Sequence, residues 1–193
     1  MVPQQVELIT AVLIGIGLSA ASGFRVFVPL LGVSIAAHFG QLSLSPNFSW
    51  LGSEPALVAL AFATILEIAA YTVPFIDNLV DSLTTPGAVI AGTLLMASLL
   101  GDVSPFLQWA LAIIAGGGTA GLVQISSVIV RGGSSLVTGG LGNLIVGGLE
   151  LIGSILLTIL ALLAPIFTVV GLVICLLLVF RFIYGKRLAR PQQ

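Results

Sequence analysis

Four ionisable residues lie inside long apolar runs of this sequence: Arg25, Glu67, Arg131 and Glu150. On insertion scales, a charged side chain in the middle of a bilayer costs about 2.5–3.5 kcal/mol, so each charge needs a partner or a function. The two positive and two negative charges balance, which predicts ion pairs between helices. Such pairs either only hold helices together or belong to a site that binds a solute or a proton. We take function as the leading interpretation and structure as the alternative.

Helical spacing places more polar residues beside these charges. One stripe, at i, i+4, i+7, i+11 and i+14 on a Pro-kinked helix, contains Glu67, Tyr71, Pro74, Asn78 and Asp81. A second stripe with nearly the same spacing contains Asn143, Gly147, Glu150, Ser154 and Thr158, and a third contains Gln124, Ser127 and Arg131. Three such faces can enclose a hydrated path. The alternative is that Ser and Thr hydroxyls bond to carbonyls of their own helix.

The two interpretations predict different effects of removing a carboxylate. If Glu67 or Glu150 neutralises a buried arginine, Glu→Gln should cost several kcal/mol of stability. If water solvates the carboxylate in a hydrated path, Glu→Gln should leave melting nearly unchanged and abolish pH-dependent flux. The stripe of Glu67 continues to Asn78 and Asp81, which favours the second outcome for Glu67. The stripe of Glu150 ends in Ser154 and Thr158, which favours that outcome less.

Other polar residues add candidates for ion binding. Asp77 and Asp81 lie one helical turn apart and could bind a cation, or they could form an ordinary solvated helix end. The lone His38 is typical of an interfacial position. The candidate transport or ion-binding residues are therefore Glu67, Glu150, Arg25, Arg131, Asp77, Asn78, Asp81, Tyr71 and Asn143. We predict no catalytic residue and no cofactor. The residues do not decide whether the protein binds a metal.

Enzyme chemistry has little support in the sequence. It has no HExxH or GxSxG pattern, and Gly101-Asp102 lacks the further glycine of the GxGD pattern of intramembrane aspartyl proteases. Cys175 is the only cysteine, which excludes an intramolecular disulfide and a thiolate metal site. No basic stripe is present, so nucleic acid is not a predicted partner.

The composition indicates the elements that must position these residues. Of 193 residues, 58% are hydrophobic and 7% are charged, against roughly 25% charged in a soluble domain. Such a chain belongs in a bilayer, as a single integral membrane domain over residues 1–193. Apolar runs lie at about 8–22, 24–39, 56–76, 86–101, 106–131, 143–164 and 166–184. We expect an all-α polytopic protein with five to seven transmembrane or re-entrant helices, because the first two runs could form one broken hairpin.

The charge distribution predicts the orientation. Arg181, Lys186, Arg187 and Arg190 follow the last run, so the C-terminus is expected on the cytoplasmic side of the membrane. Counting back through seven spans places the Gln41–Pro55 loop outside and the turns at Arg25 and Arg131 inside.

Two further features bear on the architecture. Leu66-Glu67-Ile68 and Leu149-Glu150-Leu151 each follow an upstream arginine and would lie on antiparallel helices, which suggests inverted half-repeats of about 5–101 and 102–185. Glycines crowd into residues 116–148. They indicate either close helix packing, as in Gly117-x-x-x-Gly121, or an unwound segment that lines a cavity.

The chain resembles the bacterial and plastid integral membrane family catalogued as domain of unknown function 4126. The first half carries Ser22-Gly23-Phe24-Arg25 with Pro29, Leu66-Glu67-Ile68, and Val73-Pro74-Phe75-Ile76-Asp77-Asn78 with Asp81 and Pro86. The second half carries Gly116-Gly117-Gly118, Arg131, Asn143, Glu150 and Pro165. The sequence departs from the family pattern near Gln124, at residues 138–141 and at Leu151, where the family has a His, a Ser-Pro-Glu-Pro run and an acidic residue. The resemblance implies a compact helical architecture in a bacterial inner membrane or a thylakoid-type membrane, and no particular activity.

Our leading hypothesis is a small permease-like transporter that moves a small solute, an ion or a lipid headgroup. Glu67 and Glu150 would be its midplane acidic groups, and Arg25 and Arg131 their counter-charges or an anion clamp. The alternative is a non-catalytic membrane scaffold or assembly factor. Compatible partners are the lipid bilayer, a second copy of the chain or a larger membrane complex.

Overall fold

The structure is a computed structural model that describes residues 4–71 and 77–188, with the side chains of residues 5–71, 84–178 and 181. This part of the chain is helical and contains no strand. Its α-helices are α1 Gln4–Ser22, α2 Phe27–His38, α3 Glu54–Ala70, α4 Asp77–Leu99, α5 Pro105–Leu111, α6 Gly118–Thr138, α7 Gly142–Leu163 and α8 Pro165–Leu188. A 3-10 helix, Pro46–Gly52, precedes α3, and a π-helical segment, Ala112–Gly117, joins α5 to α6.

Local sequence explains several helix boundaries. The side chains of Ser53 and Ser104 accept N–H bonds from the first turns of α3 and α5, and each helix has proline at one of its first two positions. Gly139 has φ 63°, a left-handed conformation that glycine adopts at little cost, and it ends α6. α8 begins at Pro165, where the missing N–H is not needed.

Helix α1 lies at the centre of the bundle. It packs against α2, α4, α6, α7 and α8, whereas α3 packs on α2 and on the 3-10 helix. Leu18, Ala20 and Ala21 of α1 are fully buried. Gly17 of α1 permits close approach to α7, because a Cβ there would lie 2.7 Å from the Cβ of Ala161.

The glycine-rich stretch is helical except at residues 139–141, where Gly139 and Gly140 have positive φ angles. Close packing explains Gly116, because a Cβ there would lie 2.5 Å from the carbonyl oxygen of Gly92 on α4. By contrast, a Cβ at Gly118 would meet no atom within 4 Å. Close packing therefore requires glycine at only some positions of this stretch.

Three described helices are long and apolar enough to cross a membrane: Gln5–Ser22, Pro105–Thr138 and Gly142–Leu163. A fourth span is obtained if Pro46–Gly52 and Glu54–Ala70, which meet at an angle of 64°, are counted together. Three apolar helices are shorter, namely Phe27–His38, Thr84–Leu99 and Pro165–Leu178. The long helices expose large apolar side chains, such as Leu136 and Leu163, which is consistent with an integral membrane protein.

The connection between α1 and α2 lies inside the bundle. Arg25 and Val26, which lie between the two helices, are buried, and so is Ser22, the last residue of α1. α2 has 12 residues and so measures about 18 Å, too short for a hydrocarbon core of about 30 Å. The first two apolar runs therefore form a helix, a buried break and a second short helix.

Candidate functional site

Glu150 of α7 accepts hydrogen bonds from two side chains of α6. Arg131 Nε donates to Glu150 Oε1 at 3.0 Å, and Arg131 Nη2 donates to Glu150 Oε2. Ser127 Oγ also donates to Oε1. Ser127 and Arg131 are one helical turn apart and therefore share the face of α6 that meets α7. All three residues are buried, so this is a two-point ion pair inside the bundle.

Arg25 approaches the same carboxylate from the α1–α2 break. Its Nη2 donates to the carbonyl oxygen of Gly147 at 2.7 Å and lies 3.9 Å from Glu150 Oε2. A Cβ at position 147 would lie 3.2 Å from that nitrogen, so glycine permits the close approach. Two guanidinium groups, from different parts of the chain, thus converge on Glu150.

Tyr71, at the end of α3, contacts both arginines. The guanidinium carbons of Arg25 and Arg131 are 3.7 Å and 4.2 Å from its ring centroid, within the range of cation–π interactions. The Tyr71 hydroxyl lies 3.2 Å from Thr84 Oγ1 of α4, which also accepts from Gln124 Nε2 of α6 at 3.3 Å.

Glu67 caps the first turn of α2. Its Oε1 accepts the N–H of Val26 at 2.7 Å, and its Oε2 accepts the N–H of Phe27 at 3.0 Å. These N–H groups have no partner within α2, and a carboxylate also interacts favourably with the positive end of the helix dipole. The side chain is only 6% exposed. The expectation that water solvates Glu67 is therefore wrong for this structure, because protein donors replace the water.

The structure brings five of the nine candidate residues into one buried charge cluster: Arg25, Glu67, Tyr71, Arg131 and Glu150. Asn143 is half-buried nearer the α6–α7 connection, where its amide donates to Ser135 at 2.8 Å. The side chains of Asp77, Asn78 and Asp81, and all of Pro74, lie outside the described residues. Among described residues, no group of three or more His, Cys, Asp or Glu could hold a metal ion.

Ser154 and Thr158, the last two residues of the second stripe, make different kinds of hydrogen bond. Ser154 Oγ donates to the carbonyl oxygen of Ala21 at 2.9 Å, which ties α7 to α1. Thr158 Oγ1 donates to the carbonyl oxygen of Ser154, one turn earlier in the same helix. The bonding of hydroxyls to their own helix thus applies to Thr158 and not to Ser154.

The sequence did not predict two features that contact the cluster. Thr84 links Tyr71 to Gln124, but no spacing pattern connects it with either residue. The N–H groups of Val26 and Phe27 could have been suspected, because Ser22-Gly23 interrupts an apolar run and a new helix must start after it. Within the cluster, guanidinium, hydroxyl and backbone N–H donors bind the carboxylates of the protein's own Glu67 and Glu150.

Comparison with known proteins identifies a family. A family model described as Domain of unknown function (DUF4126) matches residues 12–184. No curated protein and no solved structure matches the chain. The match covers nearly the whole chain, including all five residues of the buried charge cluster. The chain therefore belongs to the DUF4126 family.

Proposed function

We propose that this protein is a small permease-like membrane transporter and that the buried charge cluster is its solute or proton site. The observation that carries the proposal is the break between α1 and α2 inside the bundle, where Arg25 is only 2% exposed and Glu67 holds the start of α2. Irregular backbone within a membrane protein is tolerated where it is buried in protein or lines a cavity. Transporters use such broken helices to build sites near the bilayer midplane.

The position of the cluster along α7 supports this role. Glu150 lies eight residues after Gly142, the first residue of α7, which places it about 12 Å along a helix of about 33 Å. Arg25 lies near the same part of α7, because it bonds to Gly147. Glu67 lies close to Arg25, because it accepts the N–H of Val26, the next residue in the chain. Charges in the inner part of spanning helices usually mark solute, ion or proton pathways.

A scaffold or assembly factor is the second candidate. It is favoured by the many hydrogen bonds that Glu67 and Glu150 accept from protein donors, as in an ion-pair network that only fixes helix packing. Under this alternative, the exposed apolar faces would contact a membrane partner. Purification in mild detergent separates the two candidates, because a scaffold should co-purify with a membrane complex and show no flux when reconstituted alone.

We further propose five to seven spanning or re-entrant helices, with inverted half-repeats of about 5–101 and 102–185 and a cytoplasmic C-terminus. The support is the basic tail in the sequence and the occurrence of one arginine and one glutamate of the cluster in each half. A bacterial inner membrane or a thylakoid-type membrane is the expected location. Reporter fusions should place Gln193 in the cytoplasm and Ser45 on the opposite side of the membrane. Finding both residues on one side would contradict this topology.

The transport proposal is tested by reconstitution of the purified protein in proteoliposomes and measurement of the uptake of a panel of labelled ions and metabolites. A dye inside the vesicles reports proton movement at the same time. The proposal expects flux without any partner protein. Absence of flux over the whole panel, together with a co-purifying membrane complex, would favour the scaffold.

A further inference from the structure

Four aromatic side chains are exposed at one end of the helical bundle. Phe39, Trp50, Phe106 and Trp109 are 70%, 54%, 84% and 45% exposed, and Trp50 and Trp109 are the two tryptophans of the chain. They belong to three segments: the residue that follows α2, the 3-10 helix Pro46–Gly52 and α5. We call these four residues the aromatic surface.

Contacts between distant parts of the sequence hold these segments together. His38 Nδ1 lies 3.0 Å from the carbonyl oxygen of Gly52, which joins the end of α2, and with it Phe39, to the end of the 3-10 helix. The ring of Phe48, in the same 3-10 helix, lies 6.3 Å from the ring of Trp109 between centroids. The aromatic surface is therefore formed by the folded bundle and not by one loop.

Two helices change from charged to apolar exposed side chains next to the aromatic surface. α3 begins at Glu54, which is exposed, and then exposes Val58 and Phe62. Asp102 is exposed before α5, and Ile113 is exposed after it. This order of side chains is typical of a membrane–water interface, where tryptophan is enriched because it combines an apolar ring with a polar N–H.

We propose that the aromatic surface contacts the phospholipid headgroup layer of one leaflet, with the carboxylates of Glu54 and Asp102 on the water side of that layer. Lipid fits this surface better than a second copy of the chain or another protein, because both helices become apolar at the level of the exposed aromatic rings. The inference goes beyond the proposed function because it concerns the seating of the protein in the bilayer and needs no transport.

The proposal also gives the depth of the buried charge cluster. Glu67 lies 13 residues after Glu54 on α3, which is at most about 20 Å along the bilayer normal. The hydrocarbon core is about 30 Å thick, so Glu67 and the residues that contact it lie within the core. This depth is consistent with the sites of transporters, which lie inside the bilayer and not at its surface.

Depth-dependent quenching of tryptophan fluorescence tests the proposal. The purified protein is reconstituted in phosphatidylcholine vesicles that are brominated near the carbonyl end, in the middle or near the methyl end of the acyl chain. Bromine quenches only tryptophans within its reach, and both tryptophans of the chain belong to the aromatic surface. Quenching should therefore be strongest with bromine near the carbonyl end and should fall towards the methyl end.

Single-tryptophan variants assign the signal to each residue. Trp50→Phe leaves Trp109, and Trp109→Phe leaves Trp50, and each variant should keep the same order of quenching. Phe62→Trp, combined with both Trp→Phe changes, is the matched control, because Phe62 is 63% exposed and lies about 12 Å along α3 from Glu54. Its tryptophan should be quenched more by bromine near the methyl end and should emit at a shorter wavelength. If this control does not fold, the unchanged protein and the two single variants decide the question.

Either of two results would overturn the proposal. The first is strongest quenching of Trp50 or Trp109 by bromine in the middle or at the methyl end of the chain. The second is no quenching by any brominated lipid, which would mean that water, a second copy of the chain or another protein covers the aromatic surface. Flux without quenching near the carbonyl end would remove this inference and leave the transport proposal standing, and such quenching without flux would do the reverse.

Discussion

Arg131 and Glu150 form a two-point ion pair between α6 and α7, with both side chains buried. Two parallel N–H···O bonds fix the relative orientation of the groups as well as their distance. The pair therefore sets the register of α6 against α7 in a place where water cannot replace either partner. Arg25, which bonds to Gly147 of the same helix, extends this register to the α1–α2 break.

Glu150→Gln should destabilise the protein strongly. The neutral amide leaves Arg131 as an uncompensated buried cation, and breaking a buried pair in this way typically costs about 3–5 kcal/mol. Unfolding in detergent with a chemical denaturant measures the loss. Glu54→Gln is the matched control, because Glu54 is exposed at the start of α3, and it should change stability by less than about 1 kcal/mol. Equal stability of the two variants would contradict the ion-pair role.

Glu67→Gln should lower the melting temperature, in contrast to the expectation from the sequence alone. An amide oxygen can still accept one of the N–H bonds from Val26 and Phe27, but the amide NH₂ cannot accept the other. A buried N–H left without an acceptor costs about 1–3 kcal/mol. A thermal melt in detergent, compared with that of Glu54→Gln, measures the difference. An unchanged melt would show that Glu67 does not cap α2 in the membrane protein.

Tyr71 offers a graded test of the cation–π contacts with the two arginines. Tyr71→Phe keeps the ring against Arg25 and Arg131 and loses the hydroxyl contact with Thr84, so it should cost about 0.5–1.5 kcal/mol. Tyr71→Leu also removes the ring and should cost at least about 2 kcal/mol, because both cation–π contacts are buried. Denaturant unfolding of the two variants gives the order of stability, and the reverse order would exclude the cation–π role.

Two glycines of the same long helix should respond to alanine with opposite signs. Gly116→Ala places a Cβ 2.5 Å from the Gly92 carbonyl oxygen and should destabilise the contact with α4 by about 1–3 kcal/mol. Gly118→Ala meets no atom within 4 Å and should stabilise the helix by up to about 1 kcal/mol. Melting temperatures of the two variants in one detergent check this prediction. Destabilisation by both changes would mean that general helix loosening, and not close packing, governs this stretch.

The sequence predicts the helical class and the composition of the charge cluster well. Arg25, Glu67, Arg131 and Glu150 are conspicuous because charge is expensive in apolar segments. Glu150, Ser154 and Thr158 share a buried face, as helical periodicity requires.

The sequence does not predict which partners these charges select. The pairing of Arg131 with Glu150 depends on how α6 packs against α7, and periodicity within one helix contains no information about its neighbour. The role of Glu67 depends on a helix start at Phe27, which becomes a binding feature only when α3 lies beside the α1–α2 break. Thr84 joins the cluster through the same long-range packing.

The most direct test of the central claim, that the buried charge cluster is the transport site, compares uptake by proteoliposomes that contain the unchanged protein, Glu54→Gln or Glu67→Gln in equal amounts. Only folded, monodisperse protein is reconstituted, so that the lower stability of Glu67→Gln does not enter the comparison. We predict that the unchanged protein and Glu54→Gln move the same solute of the panel at the same rate, and that Glu67→Gln loses this flux. Equal flux by all three proteins would contradict the claim.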